Sequence, residues 1–195
     1  MTHTFKILAL TFLTITLLSG CAAVVVGGAT TGVAIVHDRR TTGTVIDDQG
    51  IEFKSLYALY SDPSIRNNTH INVTSYNGIL LLTGEAPNED LRNKIVTKLS
   101  RIQKVRTVHN NITLAAPSSL VSRSSDTLIT SKAKISLFNI NGLKGFDPTR
   151  VKIITENGVV YLLGILREHE SQAVIETTRR VGGVQRVVKL FEIIS

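Results

Sequence analysis

Residues 71–84, INVTSYNGILLLTG, return as residues 151–164, VKIITENGVVYLLG, and this repeated stretch decides the fold. On both sides of an Asn-Gly pair, each copy has an extended run rich in β-branched and apolar residues. Such runs are typical of β-strands, and Asn-Gly favours the type I′ turn because both central residues need a positive φ. Each copy is therefore predicted to be a β-hairpin, and Gly84 or Gly164 closes its second strand.

A helix and a third strand are predicted after each hairpin. In the first copy Pro87 suits the start of a helix, and the apolar residues Leu91, Ile95 and Leu99 recur every four positions on one face. Residues 167–181 take the same place in the second copy. The copies end in two further predicted strands, over residues 105–112 and 184–191.

A helix is also predicted before each hairpin. In the first copy it contains Asp48, Ile51 and Leu59, which align with Asp126, Ile129 and Leu137 in the second copy. The apolar positions, together with Ala133, predict a core stripe, and the two aspartates are predicted to cap the helix N-termini. The fold class is therefore α+β: two tandem αββαβ units, each a three-stranded mixed sheet with two helices on one face. Units this small gain stability by docking on each other.

The N-terminal stretch Leu17-Leu18-Ser19-Gly20-Cys21 ends a short apolar run and holds the only cysteine of the chain. The run is too short to span a bilayer and is typical of a signal peptide. The stretch resembles a bacterial lipobox, which implies that residues 1–20 are removed and that Cys21 carries an N-acyl group and an S-diacylglycerol. Ala22, rather than Asp, at the next position implies sorting to the outer membrane.

Two other interpretations of the N-terminus stay open. The cysteine could be incidental in an ordinary signal peptide, or residues 7–36 could be an uncleaved anchor, although the glycines and threonines in that segment disfavour it. Residues 21–45 are expected to form a tether without regular structure. Within it, Arg39 and Arg40 either touch lipid head groups or are a solvated pair.

The repeated unit resembles the BON domain. The matching features are the Asp-led first helix, the hairpin ending in glycine, and the turn Val181-Gly182-Gly183-Val184 before the last strand. The first copy has Ile102-Gln103-Lys104-Val105 there, so a different turn is expected. The resemblance places BON domains at residues 46–114 and 125–195, joined by a linker at 115–124. With the lipobox, the chain resembles the dual BON-domain outer-membrane lipoproteins of Gram-negative bacteria. That resemblance implies a non-enzymatic role in envelope integrity, on the periplasmic face, in which the second domain contacts anionic phospholipid.

The first helix of the second copy is the predicted lipid-binding element. Residues 120–195 hold eleven Lys/Arg and seven Asp/Glu, against eight and seven in residues 45–114. Apolar side chains beside cations on an exposed helix face suit an anionic membrane surface. The alternative is that these apolar residues pack on the other domain or a widened core. The matching positions of the first copy, Gly50, Tyr57 and Tyr60, are expected to suit lipid less. The predicted lipid-binding residues are Leu128, Lys132, Lys134, Ile135 and Phe138.

No catalytic or metal-binding motif is recognisable in the sequence. The five histidines, among them His169 between two glutamates, show no zinc-type spacing, and no Gly-x-Ser-x-Gly motif occurs. We therefore expect no enzyme activity, metal or other cofactor. Export makes nucleic acid an unlikely partner in spite of the net charge of +7. The expected partner is an anionic phospholipid membrane. The alternative is a lipid-tethered adaptor that binds a protein, such as an outer-membrane assembly protein.

Overall fold

The computed structural model describes residues 38–117 and 119–195, apart from the side chains of residues 120 and 121. Residues 38–195 form one compact unit. The predicted signal peptide at 1–20, the lipidation site Cys21 and the tether up to residue 37 lie outside the described residues.

Each copy has the predicted order of helices and strands. In both sheets the first two strands are antiparallel and the third is parallel to the second, which confirms two three-stranded mixed sheets. The first copy also has a short second helix. Its elements are α1 (Thr42–Tyr60), α2 (Pro63–Arg66), β1 (His70–Tyr76), β2 (Ile79–Ala86), α3 (Glu89–Ser100) and β3 (Thr107–Leu114). The second copy consists of α4 (Leu120–Phe138), a 3-10 turn (Pro148–Arg150), β4 (Lys152–Glu156), β5 (Val159–Arg167), α5 (Glu168–Arg179) and β6 (Arg186–Ile194).

The first helices begin earlier than the sequence suggested. Thr41 and Ser119 cap α1 and α4, so both helices reach into segments assigned to the tether and the linker. The prediction that Asp48 and Asp126 cap them was wrong. Both aspartates lie inside the helices and are buried. Their carboxylates accept hydrogen bonds from the backbone N–H groups of the two hairpin turns, at 2.7 to 2.9 Å.

The turn before the last strand is also the same in both copies, against expectation. Lys104 takes a φ of +75°, and the corresponding Gly183 has a φ of +101°. In both turns a backbone hydrogen bond of 3.1 Å follows, from Val105 to Ile102 and from Val184 to Val181. A lysine in the left-handed region is strained, and glycine is not. The turn of the first copy therefore keeps the shape of the second, and Lys104 adds strain where the second copy has glycine.

Both faces of each sheet are buried. Successive side chains of a strand point to opposite faces. On β2, Leu80 and Leu82 pack with α1 and α3, whereas Leu81 points the other way and joins Tyr161 and Leu163 of β5 in a shared cluster. The second copy has its own helix-side core around Ile129, Ala133 and Leu137, as predicted. The copies are thus docked through the sheet faces that carry no helices.

Candidate membrane-binding face

Helix α4 presents an apolar stripe on the side opposite its core residues. Leu128, Ile135 and Phe138 are 61%, 64% and 64% exposed. At about 100° per residue, Leu128 and Ile135 lie almost in line and Phe138 about 80° to one side. These three side chains therefore pack neither on the other copy nor in a widened core, which excludes that alternative for the described chain.

The two lysines of α4 border this stripe on opposite sides. Lys132 lies about 40° to one side of Leu128, and Lys134 lies beyond Phe138 on the other side. Both are exposed. Among the described residues, no acidic side chain forms an ion pair with either of them. We call Leu128, Lys132, Lys134, Ile135 and Phe138 the α4 face.

Each lysine also stands at the rim of a groove. Lys134 and Phe138 line a groove of about 480 Å³, together with the apolar Val151 and Ile153 and the cations Lys152 and Arg40. Lys132 borders another of about 640 Å³, together with Ile140 and Arg180. An extended cationic and apolar surface of this kind can accommodate anionic head groups above an apolar layer.

Helix α1 carries a second exposed apolar stripe, which the sequence comparison missed. Its members recur at intervals of seven and four along one face. Alignment of the two copies does not reveal Ile46 and Phe53, because the matching residues of the second copy are Ser124 and Ser131. We call this set the α1 face: Ile46, Phe53, Leu56, Tyr57 and Tyr60, between 41% and 73% exposed.

The two faces differ in charge. Helix α1 contains three acidic residues and a single cation, Lys54, whereas the α4 face has two lysines. Of the acids, Glu52 is held by Lys152 at 2.8 Å and Asp47 by Lys104 at 2.5 Å. The α1 face therefore lacks the positive charge that an anionic membrane attracts.

Arg39 and Arg40 are neither a solvated pair nor free for lipid, so both expectations for them were wrong. Arg39 reaches the second copy, where its guanidinium donates to both carboxylate oxygens of the fully buried Glu170 at 2.6 and 2.8 Å and to the Ile165 carbonyl at 2.9 Å. Arg40 binds Asp38 and Asp48 and stacks on the ring of Tyr76. The end of the tether is thereby fixed to both copies.

Burial raises the pKa of Glu170, but hydrogen bonds from Arg39 and the Arg167 backbone outweigh burial, so the net pKa lies below the ordinary 4.5. Glu170 is therefore a charged partner of Arg39 at neutral pH. Tyr76, under the Arg40 guanidinium, has a pKa raised to about 12, chiefly by burial and then by the charge of Asp38. The phenol is thus neutral at any physiological pH.

Within the described part of the chain, no helix has the length and hydrophobicity that crossing a bilayer requires. His169 is exposed, while His70 lies half-buried at the junction of the copies.

Comparison with known proteins agrees with the repeat. The model of the BON domain matches residues 47–116 and 125–195. The outer membrane lipoprotein DolP of Haemophilus influenzae is 35% identical over 175 residues, which cover 90% of this chain and 89% of that protein. The 21 kDa hemolysin of Actinobacillus pleuropneumoniae is 32% identical over 158 residues, 81% of this chain and 80% of that protein. Among solved structures, the C-terminal domain of CdsD from the Type III secretion system of Chlamydia trachomatis is 12% identical and covers 77% of this chain and 98% of its own, with a TM-score of only 0.30.

Proposed function

Because the chain belongs to the BON-domain family, as a two-domain protein related to DolP, we propose that it is a lipid-anchored outer-membrane protein that binds anionic phospholipid through the α4 face and supports envelope integrity. Cys21 is the anchor, with the chain on the periplasmic side. The observation that carries the proposal is the exposed stripe of Leu128, Ile135 and Phe138 between two lysines that pair with no described acid.

The energetics indicate weak, reversible binding by the folded part alone. Full burial of a Leu, Ile or Phe side chain contributes about 1.5–3 kcal/mol, and partial insertion contributes less. Each lysine near an anionic surface adds about 1 kcal/mol. The loss of translational and rotational freedom, about 4–15 kcal/mol, offsets most of this gain. The α4 face would therefore act together with the acyl chains on Cys21, which keep it at a high effective concentration.

The end of the tether supports engagement of one membrane by both elements. Arg40 lines the same groove as Lys134 and Phe138. The tether therefore joins the compact unit beside the α4 face. The 17 residues from Cys21 to His37 have a maximum reach of about 60 Å. The anchor and the α4 face can thus meet the same leaflet.

Vesicle flotation of a chain that begins at residue 22 tests the proposal, because residues 38–195 are compact without the anchor. The double variant Leu128→Glu/Phe138→Glu should no longer float with anionic vesicles. The matched control is Phe53→Glu/Tyr60→Glu on the α1 face, which changes two similarly exposed side chains and should bind like the wild type. Equal binding by the α4 variant and the wild type would refute the assignment.

The α1 face favours a second candidate function, that of an adaptor for a protein of the envelope. An exposed aromatic stripe without excess cations suits a protein partner better than an anionic bilayer. A photo-crosslinker at position 53 or 60 should capture one stoichiometric partner in cells, and a crosslinker at the partly exposed Lys98 of α3 should not. Equal capture at all three positions would contradict this role.

A further inference from the structure

Three side chains of the types that bind metal ions meet at the junction of the two sheets, two from the first copy and one from the second. His70 and Glu85 are directly opposite each other in the ladder between β1 and β2. Glu156, the last residue of β4, approaches them from the second copy. One ligand atom of each lies within 4.8 Å of the other two, and the Nδ1 of His70 is 3.3 Å from the Oε2 of Glu85.

Two of these groups are carboxylates that are almost fully buried. Glu85 is 2% exposed and Glu156 is 6% exposed. Burial and packing hold such carboxylates in one conformation, so little further ordering is needed for them to bind a cation.

Neutral donors from each copy orient the carboxylates. The Asn72 amide and the Thr83 hydroxyl both donate to Oε2 of Glu156, at 2.7 and 3.1 Å. The Asn157 amide donates to Oε1 of Glu85 at 2.8 Å. In metal sites, such outer hydrogen bonds hold the ligands in position while another oxygen binds the ion.

The cluster also has a route to solvent. His70 and Glu156 line a cavity of about 510 Å³ together with Asn72 and Asp126. A cavity of this size can admit an ion and its waters. A small cation can therefore reach His70 and Glu156 through this cavity without separation of the two copies, and Glu85 lies next to them outside the cavity lining.

We propose that His70, Glu85 and Glu156 bind one divalent transition-metal ion of the zinc class, with water as the remaining ligand. An imidazole with two carboxylates is a donor set that zinc accepts, whereas calcium and magnesium prefer oxygen alone. In a tetrahedral site with ligands at about 2.1 Å, two donors are about 3.4 Å apart. The His70–Glu85 distance of 3.3 Å already matches that edge. The distances to the third ligand lie within 4.8 Å and would shorten by up to about 1.4 Å when the ion binds.

Sequence spacing could not reveal this site. His70 and Glu85 become neighbours only through the strand register, and Glu156 joins them only because the copies dock. The ion would link the two copies, so that it stabilises the docked form by binding the folded state alone.

The test uses ZnCl₂ and CoCl₂ as probes on the chain from residue 22, after treatment with EDTA. Calorimetry should show one saturable zinc site per chain, and zinc should raise the Tm. The cobalt complex should show visible absorption bands of tetrahedral intensity. His70→Ala and Glu156→Gln should each weaken zinc binding at least tenfold, while His169→Ala, an exposed histidine on α5, should not change it.

Glu156→Gln keeps an oxygen that can accept from Asn72, so its fold should survive even if that of His70→Ala does not. Zinc binding that persists unchanged in Glu156→Gln, or that disappears in His169→Ala, would overturn the proposal. So would the absence of saturable binding by the wild type, or a preference for calcium over zinc.

Discussion

Replacement of Asp126 by Asn tests how each copy holds its hairpin. Asp126 is 7% exposed, and its two carboxylate oxygens accept the N–H groups of Asn157 and Gly158 at 2.8 and 2.9 Å. Asn has the same shape but only one acceptor oxygen, and its NH₂ group would face the other N–H. At a helix N-cap, by contrast, Asn and Asp are equivalent. Asp126→Asn should therefore be destabilising if Asp126 anchors the hairpin turn, and nearly neutral if Asp126 is a helix N-cap.

The expected magnitude follows from these two bonds. A hydrogen bond to a charged group contributes about 1.5–3 kcal/mol, and a neutral one about 1 kcal/mol. Asp126→Asn loses one charged bond and turns the other into a neutral one, so the free energy of unfolding should fall by about 2–4 kcal/mol. For a folded unit of this size, that corresponds to a Tm lower by about 5–15 °C.

Urea unfolding followed by circular dichroism measures this difference. Ser119→Ala serves as the comparison, since Ser119 is the actual cap of α4 and its loss should reduce stability by about 1 kcal/mol. If Asp126→Asn stays within about 0.5 kcal/mol of the wild type, the turn-anchoring role is wrong.

Two further substitutions probe the Arg39–Glu170 ion pair and the close approach of strands in the first sheet. Arg39→Ala leaves the buried Glu170 without its guanidinium and should lower stability by about 3–5 kcal/mol at pH 7. Because the pKa of Glu170 is lowered, this contribution is complete above pH 4.5 and vanishes as the pH falls through the lowered pKa, so the urea midpoints of variant and wild type should converge in acid. A difference in urea midpoint between variant and wild type that stays the same at all pH values would contradict this role of the ion pair. Gly84→Ala should severely impair folding, since φ is +107° and a Cβ would collide with the His70 carbonyl oxygen. Gly50→Ala, with open space around it on α1, should instead raise the Tm, and a Gly84→Ala chain as stable as Gly50→Ala would refute the close approach.

The fold was predictable because its signals are local and occur twice. The Asn-Gly pairs take φ values of 50° and 51° at asparagine and 72° and 74° at glycine, as a type I′ turn requires. The apolar spacing also placed Ile51, Leu59, Ile129 and Leu137 in the cores. Local turn signals and the periodicity of apolar residues within single elements were therefore enough to predict the fold.

What escaped prediction depends on contacts between elements. An aspartate near a predicted helix start looks like a cap, and only the packing of α1 and α4 on the hairpins shows that Asp48 and Asp126 reach the turns. Arg39 looked exposed because its partner, Glu170, lies in the other copy. The α1 face could have been found from the spacing of Ile46, Phe53 and Tyr60, which is visible in the sequence itself.

The most direct test of membrane binding uses the absence of tryptophan from the chain. A single tryptophan is introduced as Phe138→Trp in the α4 face or, as a control, as Tyr60→Trp in the α1 face; both positions are similarly exposed. With anionic vesicles, and not with zwitterionic ones, the tryptophan at 138 should shift its emission to the blue and be quenched by brominated lipid, and salt should reverse both effects. The tryptophan at 60 should not respond. An unchanged spectrum at 138, or an equal response at 60, would contradict binding through the α4 face.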